Sequence, residues 1–120
     1  MRFKVEFSDA SERDFGLILD HLTESYLGFG DNREEAIERA GLRIDALREA
    51  ANRLATFPVR GIAHDNISPG IRSIAIDRAT YWFEVDQERR RIVIQAVFFG
   101  GQDDVRHMLS RLLRDGGKSK

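Results

Sequence analysis

The run Ile92–Phe99, with the sequence IVIQAVFF, constrains the fold of this chain more than any other segment. It is apolar on both faces, which is typical of a central strand in a sheet that is covered on both sides. Two further β-rich segments precede it, Ile71–Asp77 and Thr80–Asp86, and the connections between the three are short. Short connections of this kind predict an antiparallel meander.

The first thirty residues predict a strand followed by a helix. Residues 2–7 alternate polar and apolar side chains strictly, as a strand with one buried face does. Asp9 and Glu12 have the spacing of a capping box, and apolar residues recur every three or four positions after them, so a helix is expected to begin there. Gly28 and Gly30 are expected to end it.

A second helix is expected to begin at Asp31 or Asn32, since each has a glutamate three residues further on. It must end before Pro58, because proline disfavours helical geometry in the residue that precedes it. The stretch 58–70 is rich in turn residues and is predicted to be a loop.

Together these elements predict an α+β fold of order β-α-α-β-β-β-α, with a helical hairpin packed on a twisted antiparallel sheet. The last helix is expected to begin at Gln102 or Asp103, after a pair of glycines. A length of 120 residues suits one domain, placed at 1–115. Residues 116–120 are expected to form a disordered polar tail.

The composition excludes several classes of function. Nineteen basic and twenty acidic side chains give a net charge of -1, which argues against a nucleic-acid coat protein and against direct sequence-specific nucleic-acid binding. The absence of cysteine excludes disulfides, thiol catalysis and thiolate-bound metals. No His, Asp and Glu cluster has the spacing of a metal site, so neither a metal nor another cofactor is expected.

Membrane insertion and secretion are not expected either. No apolar run approaches the roughly 18 residues that span a membrane, and the first residues lack the apolar core of a signal peptide. A soluble protein of the cytoplasm, with no membrane partner, is therefore predicted.

The meander must place large apolar side chains on the sheet face that the helical hairpin leaves uncovered. If Tyr81, Phe83 and Val85 face the helices, the other face carries four such residues: Trp82, Val93, Val97 and Phe99. An exposed apolar face marks a partner site unless the terminal helix covers it, and the sequence leaves both arrangements open. Trp82 is the strongest single contact candidate, because an indole brings a large area with few rotatable bonds.

Four stretches carry a resemblance to a known family: Leu54–Pro58 followed by Gly61, Ser68–Arg72, Tyr81–Val85, and Ile92–Phe99 running into Gly100-Gly101-Gln102-Asp103. In order and spacing they are similar to stretches of the RelE/ParE superfamily of bacterial toxin–antitoxin toxins, and more closely to its ParE branch. The resemblance extends from Phe3 to Leu113 and implies the same fold.

The resemblance also implies a function, that of the toxin of a type II toxin–antitoxin system, of the kind associated with plasmid stabilisation. ParE-like members inhibit growth by poisoning DNA gyrase, and a ParD-like antitoxin neutralises them. The antitoxin or the target is then expected to contact five residues: Arg72, Trp82, Val93, Val97 and Phe99.

RelE-like members of the same superfamily instead cleave messenger RNA on the ribosome, and this activity is the alternative. Arg72 lies where that pattern expects a basic strand residue, and Arg106 with His107 could supply phosphate binding and acid–base chemistry. Four positions depart from the pattern: Ile74, Thr80, Gln102 and Met108. The alternative therefore has Arg72, Arg106 and His107 as catalytic residues, whereas the ParE-like interpretation has none.

The remaining polar features have simpler interpretations. His21 is expected to be a solvated histidine on the first helix, and His64, in the predicted loop, is somewhat more open to a functional role. The run Arg89–Arg91 is expected to be a solvated turn balanced by Asp86 and Glu88.

Overall fold

The computed structural model describes residues 2–100 and 104–116. Its elements are β1 (Lys4–Phe7), α1 (Asp9–Gly28), α2 (Arg33–Asn52), a 3-10 turn (Arg53–Ala55), β2 (Ile62–Ala63), β3 (Ile71–Ile76), β4 (Ala79–Asp86), β5 (Arg91–Phe99) and α3 (Asp104–Gly116). The α+β class and the predicted helical hairpin on a sheet are confirmed. The predicted cap at Gln102 or Asp103 and the tail from residue 117 onwards lie outside the described residues.

The sheet has five strands in the order β1-β5-β4-β3-β2. Strand β5 lies between two neighbours, as its two apolar faces predict, and pairs antiparallel with β4. It pairs parallel with β1, so the prediction of a wholly antiparallel sheet is wrong at this position. A tight turn dictates antiparallel pairing only between consecutive strands, and the hairpin and the other strands separate β1 from β5.

The predicted loop 58–70 contains the short strand β2, which corrects the sequence interpretation. Ile62 and Ala63 pair antiparallel with Ser73 and Arg72 of β3. Gly61 precedes them with a φ of +77°, and a Cβ at this position would lie 2.1 Å from the carbonyl oxygen of Ser73. Glycine is therefore required for the two strands to approach each other. A strand of two residues is too short to show the polar–apolar alternation by which strands are recognised in a sequence.

The two long helices begin differently. Asn32 and Glu35 form the predicted capping box at the start of α2, with hydrogen bonds of 2.8 and 3.0 Å. At α1, Ser8 is the cap instead of Asp9, and its Oγ accepts a hydrogen bond from the N–H of Ser11 at 3.0 Å. Glu12, the predicted partner of Asp9, pairs with Arg48 of α2. Hydrogen bonding to this guanidinium lowers the pKa of Glu12.

The main core lies between the hairpin and one face of the sheet. Phe15 and Leu47 from the helices pack with Tyr81, Phe83 and Ile94 from the sheet, and all five are buried. The Tyr81 hydroxyl donates a hydrogen bond to the carbonyl of Leu47 at 2.8 Å. Burial, reinforced by the charge of Asp77, raises the pKa of this phenol to about 12.

A β-bulge in β5 changes which side chains share a face. Trp82 pairs with Ala96 and Phe83 pairs with Ile94, so Gln95 is an extra residue between them. Alternation restarts after such an insertion, which turns Val97 and Phe99 to the helix side. The prediction that Val93, Val97 and Phe99 share the outer face with Trp82 is therefore wrong for Val97 and Phe99.

Helix α3 covers the outer face of the sheet. Its Met108 and Leu112 pack on a second cluster that contains Ile71, Trp82 and Ala96. Trp82 is 0% exposed and Met108 is 1% exposed. Of the two arrangements left open by the sequence, the covered face is the one found, and the prediction of Trp82 as an accessible contact residue is wrong for this conformation.

Candidate functional site

A groove of about 400 Å³ opens between α1, the last residues of β5, and α3. Strand β1 ends at Phe7, opposite Ile94, so among the described residues the rest of β5 has no strand on this side. Helices α1 and α3 contact that edge instead. The described lining residues are Asp14, Leu17, Ile18, His21, Val97, Phe98, Phe99, His107 and Arg111.

An ion pair between Asp14 and Arg111 forms the polar part of the groove. Asp14 is 4% exposed and accepts two hydrogen bonds from the Arg111 guanidinium, at 2.9 and 2.7 Å. It also accepts the N–H of Val97 at 2.9 Å, next to the bulge. One carboxylate therefore links α1, β5 and α3. A bidentate, charge-assisted arrangement of this kind fixes geometry more strictly than a single hydrogen bond.

Apolar and aromatic side chains form the walls. Leu17 of α1 is 68% exposed, although it lines the groove beside buried Val97. The ring of His107 lies 5.6 Å from that of Phe98, and the Arg111 guanidinium lies over the same phenyl ring at 5.3 Å. The result is an open, mainly apolar surface with polar side chains at its margin, which is the usual chemistry of a binding site.

Two histidines line the groove from opposite helices. His21 is exposed on α1, as predicted, but it lies on the same helix face as Asp14 and Leu17. His107 lies on α3. Nothing in the sequence indicates that α3 packs beside α1, so it does not predict that His107 and His21 share a groove. The spacing of three and four residues between Asp14, Leu17 and His21 does indicate that they share one face.

The structure separates Arg72 from the other two residues of the alternative catalytic set, Arg106 and His107 of α3. Arg72 pairs with Phe83 and so lies on the helix side of the sheet, whereas His107 contacts Phe98 in the cluster on the outer face. The Arg72 guanidinium donates to the carbonyls of Arg60 and Gly61, at 2.8 and 3.3 Å. Arg72 thus holds the segment before β2, and the expectation that it joins Arg106 and His107 is wrong.

The predicted contact residues are also dispersed. Val97 and Phe99 line the groove, but Trp82 lies under α3. Val93 lies at the other end of β5, opposite Glu84. In the adjacent arginine run, Arg89 lies 3.8 Å from Asp86, a predicted partner, whereas Arg91 lies 3.2 Å from Glu6 of β1, which was not predicted.

His64 is part of the packing around Trp82. Its ring lies 4.5 Å from the indole, and its Nε2 makes a 2.8 Å hydrogen bond with Ser73 Oγ. The indole Nε1 is buried without a hydrogen-bond partner among the described residues. The His64 ring packs on Trp82 and its Nε2 is hydrogen-bonded to Ser73, so these packing contacts account for the presence of His64.

Across 2–100 and 104–116, no group of three His, Asp or Glu side chains is placed to hold a metal ion. No helix in the same part of the chain is long and apolar enough to cross a membrane.

The fold as described is the RelE/ParE-like toxin fold. No protein-family model matches the sequence. No curated protein matches it either. Among solved structures, the chain is similar to one in the chromosomal ParDE toxin–antitoxin system of P. aeruginosa, with a TM-score of 0.61, 17% identity, and coverage of 83% of this chain and 98% of that one.

A second similar structure comes from the RelBE2 toxin–antitoxin complex of Mycobacterium tuberculosis. Its TM-score is 0.55 and its identity 16%, with coverage of 82% of this chain and 99% of that one. The two structures represent both branches of the superfamily, so the likeness establishes the fold without selecting a branch.

Proposed function

We propose that this chain is the toxin of a type II toxin–antitoxin system. The observation that supports the proposal is the fold, which aligns with almost the whole length of two chains taken from toxin–antitoxin complexes. Because one fold can host unrelated functions, the fold alone does not carry the proposal, and the groove gives independent support for a binding partner. It offers exposed apolar surface at an end of the sheet where a partner segment can pack.

The antitoxin is proposed to bind this groove. Leu17 and Phe99 supply apolar contacts, and His21 and His107 supply polar contacts at the margin. A partner that places apolar side chains in the groove and hydrogen-bonding groups near the histidines would be complementary in shape and polarity. A ParD-like protein is the expected partner.

The ParE-like action, poisoning of DNA gyrase, is the proposed mode of toxicity. It is supported by the separation of Arg72 from Arg106 and His107, because the described residues of the RelE-type set then lie on opposite faces of the sheet. One observation favours RNA cleavage as a second candidate. His21 and His107 line one groove beside Arg111, and two imidazoles can serve as general base and general acid.

Two exposed leucines provide a matched test of the antitoxin site. Leu17 is 68% exposed in the groove, and Leu42 is 64% exposed on α2 outside it. Leu17→Asp should weaken binding of a ParD-like antitoxin by roughly tenfold or more, because a charge replaces an apolar contact. Leu42→Asp should leave the dissociation constant unchanged. Equal affinities in a calorimetric titration of both variants would exclude the groove as the antitoxin site.

Cell growth tests the function itself. Induction of the chain alone should stop growth, and co-expression of the antitoxin should restore it. The Leu17→Asp variant should remain toxic when the antitoxin is present. Unimpaired growth on induction of the folded chain would contradict the proposal.

A further inference from the structure

A second surface lies where the 3-10 turn after α2 leads towards β2, and it shares no lining residue with the groove. It is a depression of about 410 Å³. The described residues around it are Arg2, Glu49, Asn52, Arg53, Thr56, Phe57 and Arg60. We call this surface the arginine patch. Three of its residues carry a positive charge, and Glu49 is the one carboxylate among those described.

The arginines of the patch lack the ion pairs that others in the chain make. Arg39, Arg48 and Arg91 each have a carboxylate partner. Within the described residues, neither Arg53 nor Arg60 has a carboxylate oxygen within 4.0 Å, and Arg2 makes only a long 3.5 Å hydrogen bond to the Thr56 hydroxyl. One cation at the end of α2 would complement the helix dipole. That effect does not account for arginines from three separate segments.

Exposed apolar side chains lie beside these cations. Phe57, Val59 and Ile62 are 66%, 61% and 65% exposed, and they occur within six residues. Single exposed apolar residues are common on proteins, but a local group of large ones indicates a contact surface.

The backbone of this segment is held in place. Arg72 donates hydrogen bonds to the carbonyls of Arg60 and Gly61, and Gly61 lies against the backbone of Ser73. Strand β2 forms an edge of the sheet, and in the described part of the chain only β3 pairs with it. The other side of β2 has no strand partner among the described residues. A fixed segment loses little conformational entropy when a ligand binds.

We propose that the arginine patch binds an extended, acidic segment of a partner protein. The carboxylates of the segment contact Arg2, Arg53 and Arg60, and its apolar side chains pack on Phe57 and Val59. The partner is expected to be acidic because three arginines without a carboxylate partner among the described residues lie around a single carboxylate, that of Glu49.

A polypeptide fits this surface better than single-stranded nucleic acid does. Nucleic acid would use the arginines for its phosphates and Phe57 for base stacking. It would make no use of the aliphatic side chains of Val59 and Ile62 or of the open edge of β2. A peptide strand uses all of these, because it has alternating side chains and a backbone that can pair with an edge.

Fluorescence anisotropy tests the proposal with defined probes. The first probe is a labelled peptide that alternates glutamate with valine, and the second has glutamine in place of glutamate. The native chain should bind the acidic peptide at low salt and bind the glutamine peptide roughly tenfold more weakly, because only the first can form ion pairs. Raising the salt concentration should weaken the acidic peptide's binding.

Two sets of variants locate the binding. The double variant Arg53→Glu and Arg60→Glu should lose binding of the acidic peptide by roughly tenfold or more. Phe57→Ser, which removes an exposed ring and no charge, should weaken it as well. The matched control is the double variant Arg33→Glu and Arg114→Glu, which changes two exposed arginines elsewhere and should bind as the native chain does. Unchanged thermal midpoints confirm that each variant is folded.

The proposal is overturned if the native chain fails to bind the acidic peptide or if the patch and control variants bind it equally. Tighter binding of an oligodeoxythymidine than of the peptide would assign the patch to nucleic acid and also overturn it. None of these results depends on toxicity or on an antitoxin, so the patch and the proposed function can fail separately.

Discussion

The contacts of Asp14 connect three separate elements, α1, β5 and α3. Its carboxylate accepts two hydrogen bonds from Arg111 and one from the N–H of Val97, and it is almost completely buried. A buried, bidentate ion pair that also caps a backbone N–H differs from the exposed ion pairs of the same chain. Substitution should reveal that difference.

Asp14→Ala should lower the free energy of unfolding by about 3–5 kcal/mol, because it removes the buried carboxylate that Arg111 and the Val97 N–H share. Urea unfolding measures this. The matched control is Arg39→Ala, which removes the exposed pair with Asp31 and should cost less than about 1 kcal/mol. Similar losses in the two variants would contradict the structural role assigned to Asp14.

Tyr81 predicts a specific response to alkaline pH. Its pKa is raised to about 12 in the folded chain, from an ordinary value of 10.0, mainly by burial. The folded state therefore retains this proton while the unfolded state loses it, and stability falls as the pH rises from 10 through 12. Tyr81→Phe removes the titration, so the free energy of unfolding should fall less steeply over this range than in the native chain.

At neutral pH the same variant should cost about 1 kcal/mol, because the carbonyl of Leu47 loses its donor. Parallel pH dependences of the two chains, measured by urea unfolding at several pH values, would contradict the assignment to Tyr81.

The histidines of the groove separate the two modes of toxicity. His21→Ala and His107→Ala should leave toxicity intact if the chain acts by binding a target without acid–base chemistry. If the chain cleaves RNA with these imidazoles, either substitution should reduce cleavage by roughly 100-fold or more and restore growth. Growth after induction of each variant is the measurement, with circular dichroism to confirm folding.

At the scale of elements, the sequence predicted the features that depend on a periodic pattern or a fixed spacing. It did not predict the single irregularity in β5. The strands at 71–76, 79–86 and 91–99 and the capping box at Asn32 followed from alternation and spacing. The bulge at Gln95 was not predicted. An inserted residue is recognised by a break in the alternation of polar and apolar side chains, and a strand that is apolar on both faces has no such alternation. Val97 and Phe99 were consequently placed on the wrong face.

The candidate site shows the same limit. The sequence analysis singled out His107 as a candidate site residue, but it did not predict the groove in which His107 lies. The groove depends on α3 packing against α1 through Asp14 and Arg111, which are almost a hundred positions apart in the chain. Local patterns carry no information about a contact at this separation.

The position of α3 can be tested by fluorescence, because Trp82 is the single tryptophan of the chain. It is completely buried under Met108 and its neighbours. Met108→Asp should displace α3, move the tryptophan emission to longer wavelength and make it accessible to iodide. Leu113→Asp, which changes an 81% exposed residue of the same helix, is the control and should change neither signal. Unchanged emission in Met108→Asp would contradict the packing of α3.

At the scale of the whole molecule, the fold and the function rest on different arguments. The helical hairpin, the mixed five-stranded sheet and the helix on its outer face reproduce the fold found in two toxin–antitoxin complexes. The growth-inhibiting function is inferred from that fold and from the apolar groove. The groove and the arginine patch give the molecule two separate candidate surfaces for partners, one apolar and one cationic.

A DNA-damage reporter in bacteria, read while the chain is induced without an antitoxin, tests directly whether the chain is a toxin that poisons DNA gyrase. If it is, growth stops while the reporter rises, because poisoned gyrase leaves broken DNA. Arrested growth with a silent reporter would contradict gyrase poisoning and favour RNA cleavage through the histidines. Undisturbed growth would contradict the toxin function altogether.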